Sequence, residues 1–219
     1  MQVIHANCRI QFTREDFALI RNALGGGRGL EQLLQDDETL RDLLDDPHLV
    51  NAIQDNPAQL NISAHLYFYL LTRKVLREAH LPNRDVAEYL AEMLVYFADA
   101  RHLKWQVASQ SCEYFHEMLQ LLPVADAETA FRTWTYMGNY ALFMVGVFPE
   151  RIQHRASRTG APSVRFYAGV GMNSYRVASK HRLAAKYAVG EVLAGLAANF
   201  EPVCQALRRL TEQYLCLAV

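Results

Sequence analysis

The chain has 219 residues, 51% of them apolar and 21% charged, with 22 Lys and Arg against 23 Asp and Glu. This profile excludes intrinsic disorder, and a chain of this length buries about 70% of the surface its unfolded form exposes, so a core needs neither disulfide nor metal to hold it. The longest apolar stretch, residues 137–148, contains Asn139 and stops at Pro149, short of the ~20 residues that a membrane-spanning helix requires.

Apolar residues recur at spacings of three and four almost throughout, and strict alternation is nearly absent. The predicted fold is therefore all-α, an irregular multi-helix bundle of about eight to ten helices with little or no sheet. After an extended start over residues 3–12, Thr13 is placed to cap a helix with Phe17, Ile20 and Leu24 inward, ended by the glycines at 25–27. Leu30, Leu33 and Leu34, then Leu40, Leu43 and Leu44, mark short helices between Asp-rich turns, with Pro47 and Pro57 as punctuation. Residues 62 to about 79 form a longer helix, and Asn83 caps the next, where Val86, Tyr89, Leu90, Met93, Leu94 and Phe97 make an amphipathic stripe. Tyr114, Phe115, Met118, Leu119 and Leu122 make another stripe, closed by Pro123. Asp126 caps a helix in which Trp134, Met137, Ala141, Met144 and Phe148 alternate steps of three and four. With Gly138, Tyr140, Leu142, Phe143 and Val145 also apolar or small, this helix is expected to be the central buried one. Pro149 opens a fresh helix that Gly160 and Pro162 stop, and two or three more complete the chain, the last with Val203, Leu207, Leu210 and Tyr214 on one side.

No internal repeat, low-complexity tract or Gly/Ser/Pro linker divides the chain, so it reads as a single helical domain over 1–219, with 1–60 an acidic N-terminal helical appendage and 61–219 the core bundle. Cys8, Cys112, Cys204 and Cys216 lie far apart and form no CxxC pair, and the N-terminus lacks the basic leader and apolar core of a signal peptide. The expectation is a cytoplasmic protein with reduced thiols.

Overall neutrality hides a division of charge. Residues 31–55 hold eight acids (Glu31, Asp36, Asp37, Glu38, Asp42, Asp45, Asp46, Asp55) and one base, Arg41, a net of −7. Residues 150–186 reverse it: Arg151, Arg155, Arg158, Arg165, Arg176, Lys180, Arg182 and Lys186 face only Glu150, a net of +7. Arg151, His154, Arg155 and Arg158 sit at i, i+3, i+4 and i+7, one face of a helix and a preformed row of donors for phosphate or carboxylate. Arg176 and Lys180, with His181 and Arg182, extend that surface. Against this stand two structural readings: favourable placement of cations late in a helix, and docking of the acidic helices on the basic ones, within one chain or between two.

Other constellations are weaker. Glu113 and His116 form a Glu-x-x-His pair, the spacing by which one helix offers a carboxylate and an imidazole to one metal, with Asp99/His102 at the same spacing and Glu88/Glu92 at i, i+4. Di-metal bundles want two such motifs and two further glutamates; only one is present. The glycines at 25–29 follow a helix rather than a strand and lack the Lys-Ser or Lys-Thr of a phosphate loop, so they read as a helix terminator. Gly169 and Gly171 read as room for a neighbouring helix. No nucleophile elbow and no His-Glu-x-x-His occurs. Aromatic residues crowd the middle helices, which allows a polar-lined cavity between them.

The runs Leu66-Tyr-Phe-Tyr-Leu-Leu-Thr-Arg-Lys-Val, Asn83-Arg-Asp-Val-Ala-Glu-Tyr-Leu-Ala, Gly138-Asn-Tyr-Ala-Leu-Phe, Phe148-Pro-Glu-Arg-Ile and Ser174-Tyr-Arg-Val-Ala-Ser resemble segments of an uncharacterised bacterial family of all-helical proteins, over roughly residues 62 to 215. The resemblance implies a bacterial intracellular origin and a helical fold, and carries no catalytic motif or cofactor.

The leading expectation is a non-enzymatic interaction or regulatory protein whose basic helical face (Arg151, His154, Arg155, Arg158, Arg176, Lys180) meets an acidic protein or other anionic ligand. No membrane partner is expected. Nucleic acid ranks lower, since the pI is near neutral and no helix-turn-helix, finger or RNA-binding motif appears. Complementary patches of −7 and +7 also permit pairing of two copies. The alternative is a ligand-binding protein or metal-assisted enzyme with a cavity among the aromatic helices and Glu113 and His116 as metal ligands.

Overall fold

The computed structural model describes residues 3–26, 36–55, 61–107, 110–112 and 114–215. Twelve α-helices lie among them: α1 (Arg14–Ala23), α2 (Asp37–Leu43), α3 (Pro47–Asp55), α4 (Ala64–Glu78), α5 (Arg84–Ala98), α6 (Phe115–Leu121), α7 (Ala127–Val147), α8 (Pro149–Thr159), α9 (Val164–Ser179), α10 (Arg182–Lys186), α11 (Gly190–Ala198) and α12 (Phe200–Leu210). Two three-residue strands, β1 (Trp105–Val107) and β2 (Gln110–Cys112), pair antiparallel with Trp105 opposite Cys112. The fold is an all-α multi-helix bundle. No described helix is long and apolar enough to cross a membrane.

The helix starts follow the side chains that satisfy the free N–H groups of a first turn. Thr13 and Asp16 form a capping box on α1; Ser63, Asn83 and Asp126 accept from Leu66, Val86 and Thr129 at the starts of α4, α5 and α7. Pro47 and Pro149 each open a helix, where the missing N–H costs nothing. The glycines after α1 take positive φ at Gly25 and Gly26; Leu30, Leu33, Leu34 and Pro57 lie outside the described residues. Over residues 3–12 the chain is not a strand: it makes one 3-10 turn, Cys8–Gln11.

Six helices close a ring of neighbours: α4 against α5, α5 against α11, α11 against α9, α9 against α7, α7 against α12, and α12 back against α4. The longest, α7, is buried on nearly every side from Thr135 to Met144, as its uninterrupted apolar surface predicts. Close approach to it depends on small residues. A Cβ on Gly138 would meet the Tyr175 ring at 2.7 Å, and one on Gly171 of α9 would meet Phe200 at 2.4 Å. Gly169, two residues earlier, has open space around it, so of the two glycines in α9 only Gly171 serves packing. The short hairpin packs Trp105 on Tyr136, ring centroids 4.8 Å apart.

The N-terminal elements lie across α4 and α5, and Val3, Cys8, Ile20, Leu40, Leu44, Leu49 and Ile53 join the same buried cluster as the bundle. Beneath them is a buried acidic site. Glu88 Oε1 accepts from Arg9 Nε at 2.8 Å and Arg41 Nη2 at 3.1 Å. Glu92 follows one turn later, with His65 Nε2 3.6 Å from its Oε2. Burial first, and the charge of Glu88 second, push the Glu92 carboxyl from 4.5 up to about 7; burial holds His65 below its ordinary value. A carboxyl whose folded pKa is raised keeps a proton that the unfolded chain has already released, so this group lowers stability as pH rises from about 4.5 to about 7. Glu92→Gln is expected to stabilise the protein by about 2 kcal/mol at pH 8 and by almost nothing at pH 4. Urea titrations at the two pH values check this, and an equal effect at both would show that ionisation is not the cause.

Candidate functional site

The basic face is built on a helical hairpin. On α8 the apolar side is Pro149 and Ile152, both buried, and the opposite side presents Arg151, His154, Arg155 and Arg158 to solvent, as the i, i+3, i+4, i+7 spacing requires. Gly160 ends the helix in the left-handed region at φ 66°, its N–H donating to Ala156, and Ser163 Oγ accepts from Phe166 N to start α9. On α9, Tyr167, Gly171, Ser174, Tyr175 and Ala178 face the bundle. Its outer line is Arg165, Gly169, Asn173, Arg176 and Lys180, all exposed, about 22 Å from first to last at 1.5 Å per residue. Arg182 and Lys186 continue the exposed charge on α10, with Lys186 Nζ over the Tyr187 ring at 5.3 Å. His181 does not belong to this surface: it is half-buried, stacks on Phe131, and accepts from Leu183 N as the cap of α10.

Arg151, Arg155, Arg158, Arg165, Arg176, Lys180 and Arg182 have no ion-pair partner among the described residues, and the sequence holds no acid between Glu150 and Glu191. Glu150 pairs with Arg208 at 2.7 Å, away from them. The acidic segment is engaged elsewhere. Asp45 takes a two-pronged pair from Arg73 (2.6 and 2.9 Å) and a bond from Arg84 (2.7 Å); Asp42 takes Arg84 at 2.7 Å; Asp37 takes Arg9. Arg73 and Arg84 hold Asp45 below the usual carboxylate range despite its burial. Among the described residues, Asp37, Asp42 and Asp45 thus pair with arginines of the N-terminal segment, α4 and α5, and no acid of this segment pairs with α8 or α9. Sequence patterning missed this because Arg9, Arg73 and Arg84 are scattered singly, and only folding gathers them.

The metal reading is narrower in the structure than in the sequence. Glu113 lies outside the described residues, and His116 is exposed with its ring stacked against Tyr114. Asp99 caps Arg101 N, while His102 Nδ1 stands 2.7 Å from Tyr96 O; Glu88 is engaged with two arginines. No group of three His, Cys, Asp or Glu side chains suited to a metal occurs among the described residues. Cys8, Cys112 and Cys204 are buried free thiols, and burial pushes the Cys8 and Cys204 thiols up, the latter to about 12.

The aromatic helices pack ring on ring: Phe97 on Phe143 at 4.9 Å and Phe115 on Tyr167 at 5.0 Å. Tyr89 and Tyr175 both donate to Asn139 Oδ1 at 2.8 Å, which satisfies their hydroxyls in the core. Surface pockets of about 380, 330 and 310 Å³ lie beside Asp45 and Arg77, beside Leu81 and Val203, and beside His5 and Asp85, away from those rings.

One expected inward stripe is corrected. Phe115 and Met118 of α6 are buried, but Tyr114 and Leu119 are 48% and 41% exposed, because a seven-residue helix turns only one narrow face to α7. Phe166 on α9 is 47% exposed. Comparison with protein-family models, curated proteins and solved structures finds no match to the chain. Of what the resemblance to a bacterial family implies, the structure bears out the helical content.

Proposed function

We propose that the protein is a non-enzymatic interaction module whose α8–α9 face binds an anionic partner, with Arg151, Arg155, Arg158 and Arg176 the principal contacts and His154 and Lys180 flanking them. The observation that carries this reading is an asymmetry of neutralisation: Asp37, Asp42 and Asp45 of the acidic segment are paired with arginines inside the chain, whereas the cations of α8 and α9 are exposed and have no ion pair among the described residues. Packing does not explain them, since each helix buries its opposite side. An arginine row of this kind gives two-pronged donors to phosphate or carboxylate and attracts a polyanion over a Debye length of about 8 Å at physiological salt. With Asp37, Asp42 and Asp45 already paired, a second copy of the chain is a poorer source of the anion than a separate partner.

Heparin tests the face without knowledge of the partner. The protein is expected to bind it with an affinity that falls steeply with salt, and Arg155→Glu with Arg158→Glu should flatten the slope of log affinity against log salt by about 1.5. Unchanged heparin affinity in that variant would remove the proposal.

A further inference from the structure

We infer that the anion bound by this face is a single-stranded nucleic acid, whose unpaired bases stack on Phe166 and Tyr114 while the arginines of α8 and Arg165 hold its phosphates. The inference rests on the proposed basic face and adds a second feature to it. Phe166 and Tyr114 are about half exposed, at 47% and 48%, unlike the remaining aromatic residues of the middle helices. They belong to one neighbourhood. Phe115, buried beneath, has its ring centroid 6.4 Å from Phe166 and 5.0 Å from Tyr167. Helix α8 packs directly against α9, and burial raises the Tyr167 hydroxyl while the charge of Arg155 partly offsets that rise. Phe166 also directly follows Arg165 at the exposed start of α9. Planar rings set among cations are what a strand of unpaired nucleotides requires, since every base has a face to stack and every nucleotide a phosphate to neutralise.

Other polyanions fit less well. A folded protein surface carries both signs of charge, so its cations would be left facing a stretch in which no acid stands between Glu150 and Glu191. A lipid surface calls for a helix with an apolar side free to insert, and the apolar side of α8 is already buried against the bundle. In duplex nucleic acid the bases are stacked on one another and offer these rings nothing. Glu117, three residues after Tyr114, is turned to the start of α6, where its carboxylate accepts the Tyr114 N–H at 3.0 Å.

The test uses the full chain with fluorescein-labelled oligo(dT) of about 16 nucleotides, the matching duplex, heparin and phosphatidylserine vesicles. Oligo(dT) is expected to bind more tightly than the duplex at equal salt. Phe166→Leu with Tyr114→Leu, which keeps apolar bulk and removes both planar rings, should weaken oligo(dT) binding by roughly tenfold while moving heparin affinity less than about twofold. Phe166→Trp should retain or tighten oligo(dT) binding, a result that loss of fold cannot imitate. Equal loss of oligo(dT) and heparin in the leucine variant, preference for duplex, or binding to vesicles but not to oligo(dT) would overturn the inference and leave the basic face standing. Absence of binding to every polyanion would overturn both.

Discussion

Glu88→Ala is expected to destabilise the protein by about 3 kcal/mol, measured as a fall in the urea midpoint at pH 7. Glu88 is fully buried on α5, and its Oε1 is the point where Arg9 of the N-terminal segment and Arg41 of α2 converge. Each arginine also reaches a second acid, Arg9 to Asp37 and Arg41 to Asp85 at 3.0 Å. The carboxylate itself is costly to bury, and burial outweighs the two cations and raises its pKa. Its removal costs more, because both guanidinium groups remain beside a site that no longer compensates their desolvation. Two controls separate this account from simple cavity formation. Arg9→Met combined with Glu88→Leu should recover much of the loss, since an apolar replacement of a buried ion pair removes the desolvation penalty of both partners. Glu88→Gln should lose less than Glu88→Ala, because an amide oxygen still accepts one arginine bond.

The second large effect is a reversal of sign between two glycines in the same helix. In an exposed helix interior, Gly→Ala is worth about 1 kcal/mol in stability, through backbone entropy. Gly169→Ala should show that gain, since nothing lies within 4 Å of the added methyl. Gly171→Ala should instead lose about 2 kcal/mol, and Gly171→Val about 3 kcal/mol or more. At Gly171 the methyl would stand 2.4 Å from Phe200 Cζ and 2.9 Å from the Ala141 Cβ, so α9 would have to move away from α7 and α12 together. Phe200→Leu in the Gly171→Ala background should restore part of the loss by opening the space the methyl needs. Thermal or urea unfolding of the three single variants and the double variant decides it; a gain at Gly171 equal to that at Gly169 would mean that the α7–α9 contact is looser than these distances indicate.

Much of the helical layout is legible because its signals are local. Thr13, Ser63, Asn83 and Asp126 satisfy the first turns of their own helices, Pro149 and Gly160 bracket α8, and the dense apolar surface of α7 from Thr135 to Met144 leaves that stretch almost no solvent-facing side. The hairpin escaped because three-residue strands are too short for alternation to register, and residues 3–12 because a β-branched and aromatic start does not by itself choose a strand over a 3-10 turn. The stripe at 114–122 buries only Phe115 and Met118: Tyr114 stands before the first turn of α6, and Leu119 lies off the one face that this short helix turns to α7.

Which residues carry charge on α8, and that they share one face, follows from the sequence alone, because the period of a helix is set by its backbone. Whether that charge is free could be decided only by the tertiary structure. The −7 and +7 segments are natural partners by arithmetic, but the acidic helices meet Arg9, Arg73 and Arg84 first, because the core residues of α2 and α3 seat them on α4 and α5. Hydrophobic seating, which is non-directional and long-range in sequence, therefore chose the ion pairs and left the α8–α9 cations to solvent.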